Sequence, residues 1–301
     1  MNAHNNSNGH AAMIVIEELE LHPTAAPLAA TVASVAADTT VGGSPDDPEI
    51  RQAAHESDRL GGLVCVIACS TPAHATEVAV LLAHQARKTG AGVLVSDAAG
   101  GLSAMPELAG VHSRYSLSEA AALAAQEQLG EQDAVAVTRQ GLHVLCAEQT
   151  ARPLGAGSTD PDLIGALLWM ARNNYELTVV DCGSGTSGQA CAAYQSATHI
   201  VWVIDGTPGG LADGQRAFDR VRRHPTAREL LVTLGTHPQQ GRIRPKQAAA
   251  LAAERHAPEA ICLPYADGKP TVGENRLAGL MACWAPQIEQ LARLTEGTVL
   301  R

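Results

Sequence analysis

Leu63-Val64-Cys65-Val66-Ile67-Ala68, followed by Cys69-Ser70-Thr71-Pro72-Ala73-His74-Ala75-Thr76-Glu77, is the stretch that decides the fold. Six consecutive apolar residues read as a strand buried on both faces. Apolar periodicity then resumes at Thr76 and runs through Val80, Leu81, Ala83 and His84 to Thr89, which predicts a helix. The nine residues 69–77, which run from the end of the strand into the start of that helix, occupy the position of a phosphate-binding loop. Such a loop needs glycines, so that backbone N–H groups can close on phosphate, and a lysine that reaches the outer phosphates. This segment has neither, and Pro72 removes one backbone donor. The chain contains only Lys88, Lys246 and Lys269, and none is placed to substitute.

From Leu63 onward, apolar strands alternate with helical periodicity, the pattern of a parallel sheet covered on both faces. Strands are expected at Leu63–Ala68, Gly92–Ser96, Ala134–Thr138, Leu142–Cys146, Leu177–Asp181, His199–Ile204, Leu230–Leu234 and Ala260–Leu263. Helices are expected at Thr76–Thr89, Leu117–Gln128, Asp162–Asn173, Leu211–Arg223, Pro245–Arg255 and about Asn275–Leu294, with a short one at Gln189–Ser196. Asp160-Pro161 and Arg244-Pro245 carry helix-start signals. The fold class is therefore α/β, three αβα layers around a mostly parallel sheet. Residues 1–58, rich in Asn, Ala, Thr, Pro, Gly and Asp, bury too little apolar surface to offset chain entropy and read as a low-complexity tail before a domain at 59–301. The one compact apolar stretch in that tail, Met13–Leu21, reads as a transient element or a docking peptide.

Strand ends carry the candidate chemistry. Asp97 and Asp181 close two strands, and ligands of open parallel sheets gather at carboxyl ends of strands near a topological switch. Together with Thr76 they form the three-point set that holds Mg²⁺ beside a triphosphate; the alternative is that each aspartate caps its own loop. His74 could donate to an anion at the helix start or be an ordinary surface residue.

The order of these segments, with Val-Leu-Val-Ser-Asp97, then Leu-Thr-Val-Val-Asp181-Cys-Gly-Ser-Gly, then His-Ile-Val-Trp-Val-Ile-Asp-Gly-Thr-Pro, resembles the ParA/MinD ATPases with a deviant Walker A loop, from about Leu63 to Leu294. The resemblance lays the family's KGGVGKTT on residues 70–77. It implies Ser70 at the signature lysine, Pro72 at a glycine, Ala75 at the phosphate lysine and Thr76 at the magnesium-coordinating threonine. It implies Asp97 as the first aspartate after the second strand, with Ala99 at the water-activating one, Asp181 as the Walker B aspartate and Gly185 in the switch loop. The base-contacting asparagine is absent near Thr233 and Leu234. The loss of lysine and amide cradle predicts a pseudo-ATPase that binds ATP and Mg²⁺ weakly or not at all, and acts as a scaffold, positioning or regulatory factor through protein contacts, similar in character to TadZ/CpaE-type members. Family practice implies a homodimer with segments 70–76, 97–103 and 182–188 near its interface. A nucleotide-gated ATPase of partitioning, secretion or conjugation, using donors such as His74, is the rival.

Gly183-Ser-Gly185-Thr-Ser-Gly188 also spells GxGxxG after a strand, which allows a dinucleotide-binding oxidoreductase. Against it, Asp181 brings negative charge to the turn and the motif comes late in the sheet. His112, His143, His199, His224, His237 and His256 show no metal spacing and read as surface or strand-end residues. Ser103, Ser184 and Ser187 lack a nucleophile elbow.

A net charge of −10 argues against a nucleic-acid-binding surface. The one dense basic group, Arg216, Arg220, Arg222, Arg223 and Arg228, reads as a solvated helix face. Seven scattered cysteines lack CxxC spacing, and most sit inside or beside apolar strands, where they read as reduced core residues and imply a cytoplasmic location. No apolar run approaches a membrane span, no signal peptide is visible, and the last helix, with Glu289 and Glu296, reads as packing on the sheet instead of anchoring in a membrane.

Overall fold

Alternate side chains of Gly62–Ala68 (β1) enter two different apolar clusters, Val64 and Val66 on one side of the sheet and Leu63, Cys65 and Ile67 on the other, all at most 1% exposed. A strand with no solvated face belongs in the middle of a sheet covered on both sides. The computed structural model places it there. It describes residues 60–69, 74–99, 104–127, 134–146, 160–221, 224–236, 241–258, 260–266 and 274–296. The expected tail 1–58 with Met13–Leu21, and Ser70, Thr71, Pro72, Ala73, Ser103, Arg222, Arg223, His237 and Lys269, lie outside the described residues.

The other strands are Val93–Asp97 (β2), Ala136–Val137 (β3), His143–Leu145 (β4), Leu177–Asp181 (β5), His199–Asp205 (β6), Arg228–Leu234 (β7) and Ala260–Leu263 (β8), in the order β3-β4-β2-β5-β1-β6-β7-β8. All pairings are parallel except β3 with β4, where a two-residue edge strand runs back. The described helices are Ala75–Lys88 (α1), Met105–Ala109 (α2), Leu117–Ala125 (α3), Pro161–Asn174 (α4), Gly188–Ser196 (α5), Pro208–Arg220 (α6), Pro245–Glu254 (α7) and Glu274–Glu296 (α8). Helices α1, α2 and α8 cover one face and α3 to α7 the other. From β1 the chain crosses over β5 to β2, and from β5 it crosses over β1 to β6. The carboxyl end of β1 is thus a topological switch point.

Several helix starts follow from local chemistry. Ser116 and Glu119 form a reciprocal capping box on α3, the Asp160 side chain accepts from the Asp162 N–H before Pro161, and Thr207 accepts from the Gly210 N–H. Helix α6 therefore starts at Pro208, three residues before the expected Leu211. Helix α2 was not anticipated, because five residues are too few to show a period. Arg216 and Arg220 are exposed on α6, but Arg228 opens β7, so it is no part of a helix face. Among the described residues, no helix is long and apolar enough to cross a membrane.

Candidate functional site

Strand pairing alone brings the two candidate aspartates together, since Asp97 lies in register with Asp181 and Asp181 with Val66 of β1. Both close their own turns: Ala99 N–H donates to Asp97 Oδ1 at 2.8 Å, and Gly183 N–H donates to Asp181 Oδ1 at 3.0 Å. Thr76, on the first turn of α1, adds a third element by donating its hydroxyl to Asp181 Oδ2 at 2.6 Å. The structure thus joins Thr76 to Asp181, with Asp97 alongside, while the Cys146 thiol lies 3.9 Å from Asp97 Oδ2.

Asp181 is 1% exposed. Burial pushes its carboxyl from an ordinary 3.8 up to about 6, with the Thr76 and Gly183 hydrogen bonds opposing and the Asp97 charge adding to the rise. A carboxyl whose pKa is raised by folding gives the native state the tighter grip on its proton. Its contribution is full below about pH 4 and is lost as pH climbs through about 6, by on the order of 3 kcal/mol. Asp181→Asn can accept from Gly183 and donate to Thr76. Chemical denaturation is expected to show it about 1–3 kcal/mol more stable than the parent above pH 6, the gap closing toward pH 4.

At the start of α1 the first turn is occupied by side chains of the protein itself. Ala75 is 3% exposed and belongs to the apolar cluster under α1 and α8. Glu77 is 7% exposed, and its Oε1 lies 3.0 Å from His74 Nδ1. Arg276, reaching across from α8, donates to Glu77 Oε1 and lies 3.2 Å from His74 Nδ1, while Trp284 meets the His74 ring edge-on at 6.3 Å. Burial pushes the Glu77 carboxyl up, but the His74 and Arg276 partners outweigh it and hold the carboxyl below its ordinary range. The helix end that would attract an anion already has a carboxylate in its first turn. His74 is therefore a bridging residue and not an ordinary surface histidine. Arg276→Ala leaves Glu77 half-paired in a buried place and is expected to cost about 1–3 kcal/mol, read as a lowered urea midpoint. Nothing local in the sequence marks Arg276, which is 199 positions from Glu77.

The glycines after β5 are explained by backbone and packing. Gly183 and Gly185 have φ of +51° and +71°. A Cβ on Gly183 would lie 2.7 Å from the Ala99 Cβ, and one on Gly185 would lie 3.1 Å from Ile67 Cγ2, whereas Gly188 faces open space. Ser187 caps α5 and donates to the Ala98 carbonyl at 2.6 Å, and Ser184 pairs with Thr186. The expected histidines divide: His112 and His256 are exposed, but His199 and His224 are buried, at 0% and 8%. His199 starts β6, and burial pushes its ring down to about 4. Thr233, where the resemblance puts the base contact, donates its hydroxyl to Cys262 Sγ at 3.1 Å.

No protein-family model matches this chain. No curated protein matches it either. Solved structures do, and they give it the α/β fold of the ParA/MinD ATPases. The septum site-determining protein MinD of Pyrococcus horikoshii OT3, complexed with Mg-ADP, superposes with a TM-score of 0.62 at 15% identity, over 79% of this chain and 99% of that one. A ParA family ATPase from Chlorobium tepidum TLS gives 0.59 at 12%, over 80% and 96%. Cobyrinic acid a,c-diamide synthase from Mycobacterium smegmatis, with a bound ATP analogue and magnesium, gives 0.54 at 11%, over 79% and 97%.

Proposed function

We propose that this chain is a ParA/MinD-fold protein that acts as a scaffold, positioning or regulatory factor through protein–protein contacts, without turning over ATP. The observation that carries this reading is the start of α1. Ala75, at the position of the phosphate lysine, is buried in the core, and two residues on the buried carboxylate of Glu77 is held by His74 and Arg276. A triphosphate placed there would meet a fixed negative charge and no ammonium. Phosphoryl transfer depends almost entirely on positioning and charge stabilisation, so this site lacks what the reaction needs. The residues present do not fit a tightly held triphosphate.

The 2.6 Å contact of Thr76 with Asp181 favours a second reading, a nucleotide-gated ATPase with a residual Mg²⁺ position at Thr76, Asp97 and Asp181. Two carboxylates and a hydroxyl are the remnant of such a position. Among the described residues, no group of three or more His, Cys, Asp or Glu is placed to hold a metal ion. His74, the donor that this reading would recruit, is already engaged. The oxidoreductase reading loses support, because Gly183 and Gly185 have sufficient reason in their φ angles and close neighbours.

The remaining parts of the proposal are a domain at 59–301 behind a tail at 1–58, a homodimer with segments 70–76, 97–103 and 182–188 near its interface, and a cytoplasmic location in keeping with seven free cysteines. Phosphate release from ATP at background level, unchanged by Asp181→Ala, is the expected result; turnover that Asp181→Ala abolishes contradicts the proposal. Light scattering at micromolar concentration should show a dimer, and monomer alone would remove that part.

A further inference from the structure

We propose that the apolar segment Met13–Leu21 of the chain's own N-terminal region docks on the outward face of α4, around Trp169. Helix α4 covers the opposite face of the sheet from α1, so this contact stands or falls separately from the reading of the nucleotide position above.

Helix α4 packs against α3 and α5 and buries Ile164, Leu167, Leu168 and Ala171 in the cluster beneath them. Its remaining face points outward and carries Gly165, Ala166, Trp169 and Asn173, which the helical period brings together. Trp169 is 37% exposed, whereas Trp202 and Trp284 are 0% and 3% exposed. A Cβ built on Gly165 meets nothing within 4 Å, so the small residues one turn back leave a shelf beside the indole. A lone apolar side chain on a surface is ordinary. The course of the chain supplies the second observation.

The described fold begins at Leu60, at the end of this same helix. Gly61 N–H donates to the Arg172 carbonyl at 2.8 Å, and Arg172 Nε–H donates back to the Gly61 carbonyl at 2.8 Å. The 59 residues that precede Leu60 therefore enter the fold about one helical turn from Trp169. Met13–Leu21 is the one compact apolar stretch among them, and residues 22–59 connect it to the fold. Helix α4 is about 21 Å long and the connecting residues can span up to roughly 120 Å, so reach imposes no restriction. Tethering holds the segment at an effective concentration on the order of 1 mM, which populates a contact too weak to form between separate molecules.

Charge sets the direction. Met13–Leu21 carries Glu17, Glu18 and Glu20 and no cation. Arg172 stands at the entry end of the face and the exposed Asp162 at the far end. Glu176, just past the helix, is engaged by the Gly92 N–H. The acidic half of the segment thus lies toward Arg172, and Met13–Ile16 cover the indole and the shelf beside it.

Acrylamide quenching of tryptophan fluorescence in the full chain reads the contact, because Trp169 alone of the three tryptophans is open to the quencher. The variant Ile14→Asp/Ile16→Asp is expected to raise the Stern–Volmer slope about twofold or more as the docked fraction falls. In a Trp169→Phe background the same two changes should leave the slope unaltered. Thermolysin reads the contact from the other side: Trp169→Gln, a change at an exposed helix position, should speed cleavage within Met13–Leu21 several-fold relative to cleavage at Val41. Equal slopes for the parent and the Ile14→Asp/Ile16→Asp variant overturn the proposal, as does a slope difference that persists without Trp169 or cleavage indifferent to Trp169→Gln. A parent slope that rises on dilution also overturns it, since the segment would then come from a second copy.

Discussion

Arg255→Ala is expected to destabilise the fold by about 3–5 kcal/mol, the range for removing one partner of a buried ion pair. Arg255 and Glu229 are 5% and 3% exposed, and their Nε and Oε2 atoms lie 3.6 Å apart under α6 and α7. The guanidinium also donates to the Phe218 and Val221 carbonyls at 3.0 and 2.7 Å, closing the end of α6, and stacks over Trp202 at 4.9 Å and Phe218 at 4.5 Å. Without it, Glu229 keeps only the Trp202 Nε1–H donor, at 2.7 Å. The pair itself gives little net stability, since Glu229 Oε1 and Arg255 Nε have no hydrogen-bond partner. Accordingly the double variant Arg255→Met/Glu229→Gln should recover most of the loss in urea denaturation. A double variant no better than Arg255→Ala would show that packing of the arginine stem, not the stranded carboxylate, sets the cost.

Trp284→Ala should cost a similar amount, about 3–5 kcal/mol. The ring is 3% exposed within the cluster that α8 and α1 share, and its Nε1–H donates to the Pro264 carbonyl at 2.8 Å, tying α8 to the end of β8. Its loss opens a cavity beside His74 and leaves that carbonyl without its partner. Since α8 carries Arg276, loosening it should also free Glu77. A thermal melt that drops by several degrees, with a smaller additional loss when Arg276→Ala is combined with it than in the parent, is the expected coupling. Full additivity of the two changes would mean that α8 holds Arg276 independently of Trp284.

The sheet was legible because Leu63–Ala68 is apolar throughout and Leu177–Asp181 carries only Thr178 before its closing aspartate, and because Asp160-Pro161 marks a helix start openly. Thr207-Pro208 carried the same signal and would have placed the start of α6. Edges were less legible in extent: the strand expected at Ala134–Thr138 shortens to the two residues Ala136–Val137 of β3. The convergence of Thr76, Asp97 and Asp181 followed from strand ends and chain order, hence from the fold. By contrast, the partners that define the start of α1 and the buried charge under α6 come from Arg276 and Arg255. Each pairs with an acid 26 or more positions away, which no local pattern announces.

The most direct test of the central claim is calorimetric titration of the full chain with ATP–Mg²⁺, with Asp181→Ala as control. The account predicts no heat beyond dilution, or binding weaker than about 1 mM, alike in both proteins. Micromolar affinity that Asp181→Ala abolishes would contradict it.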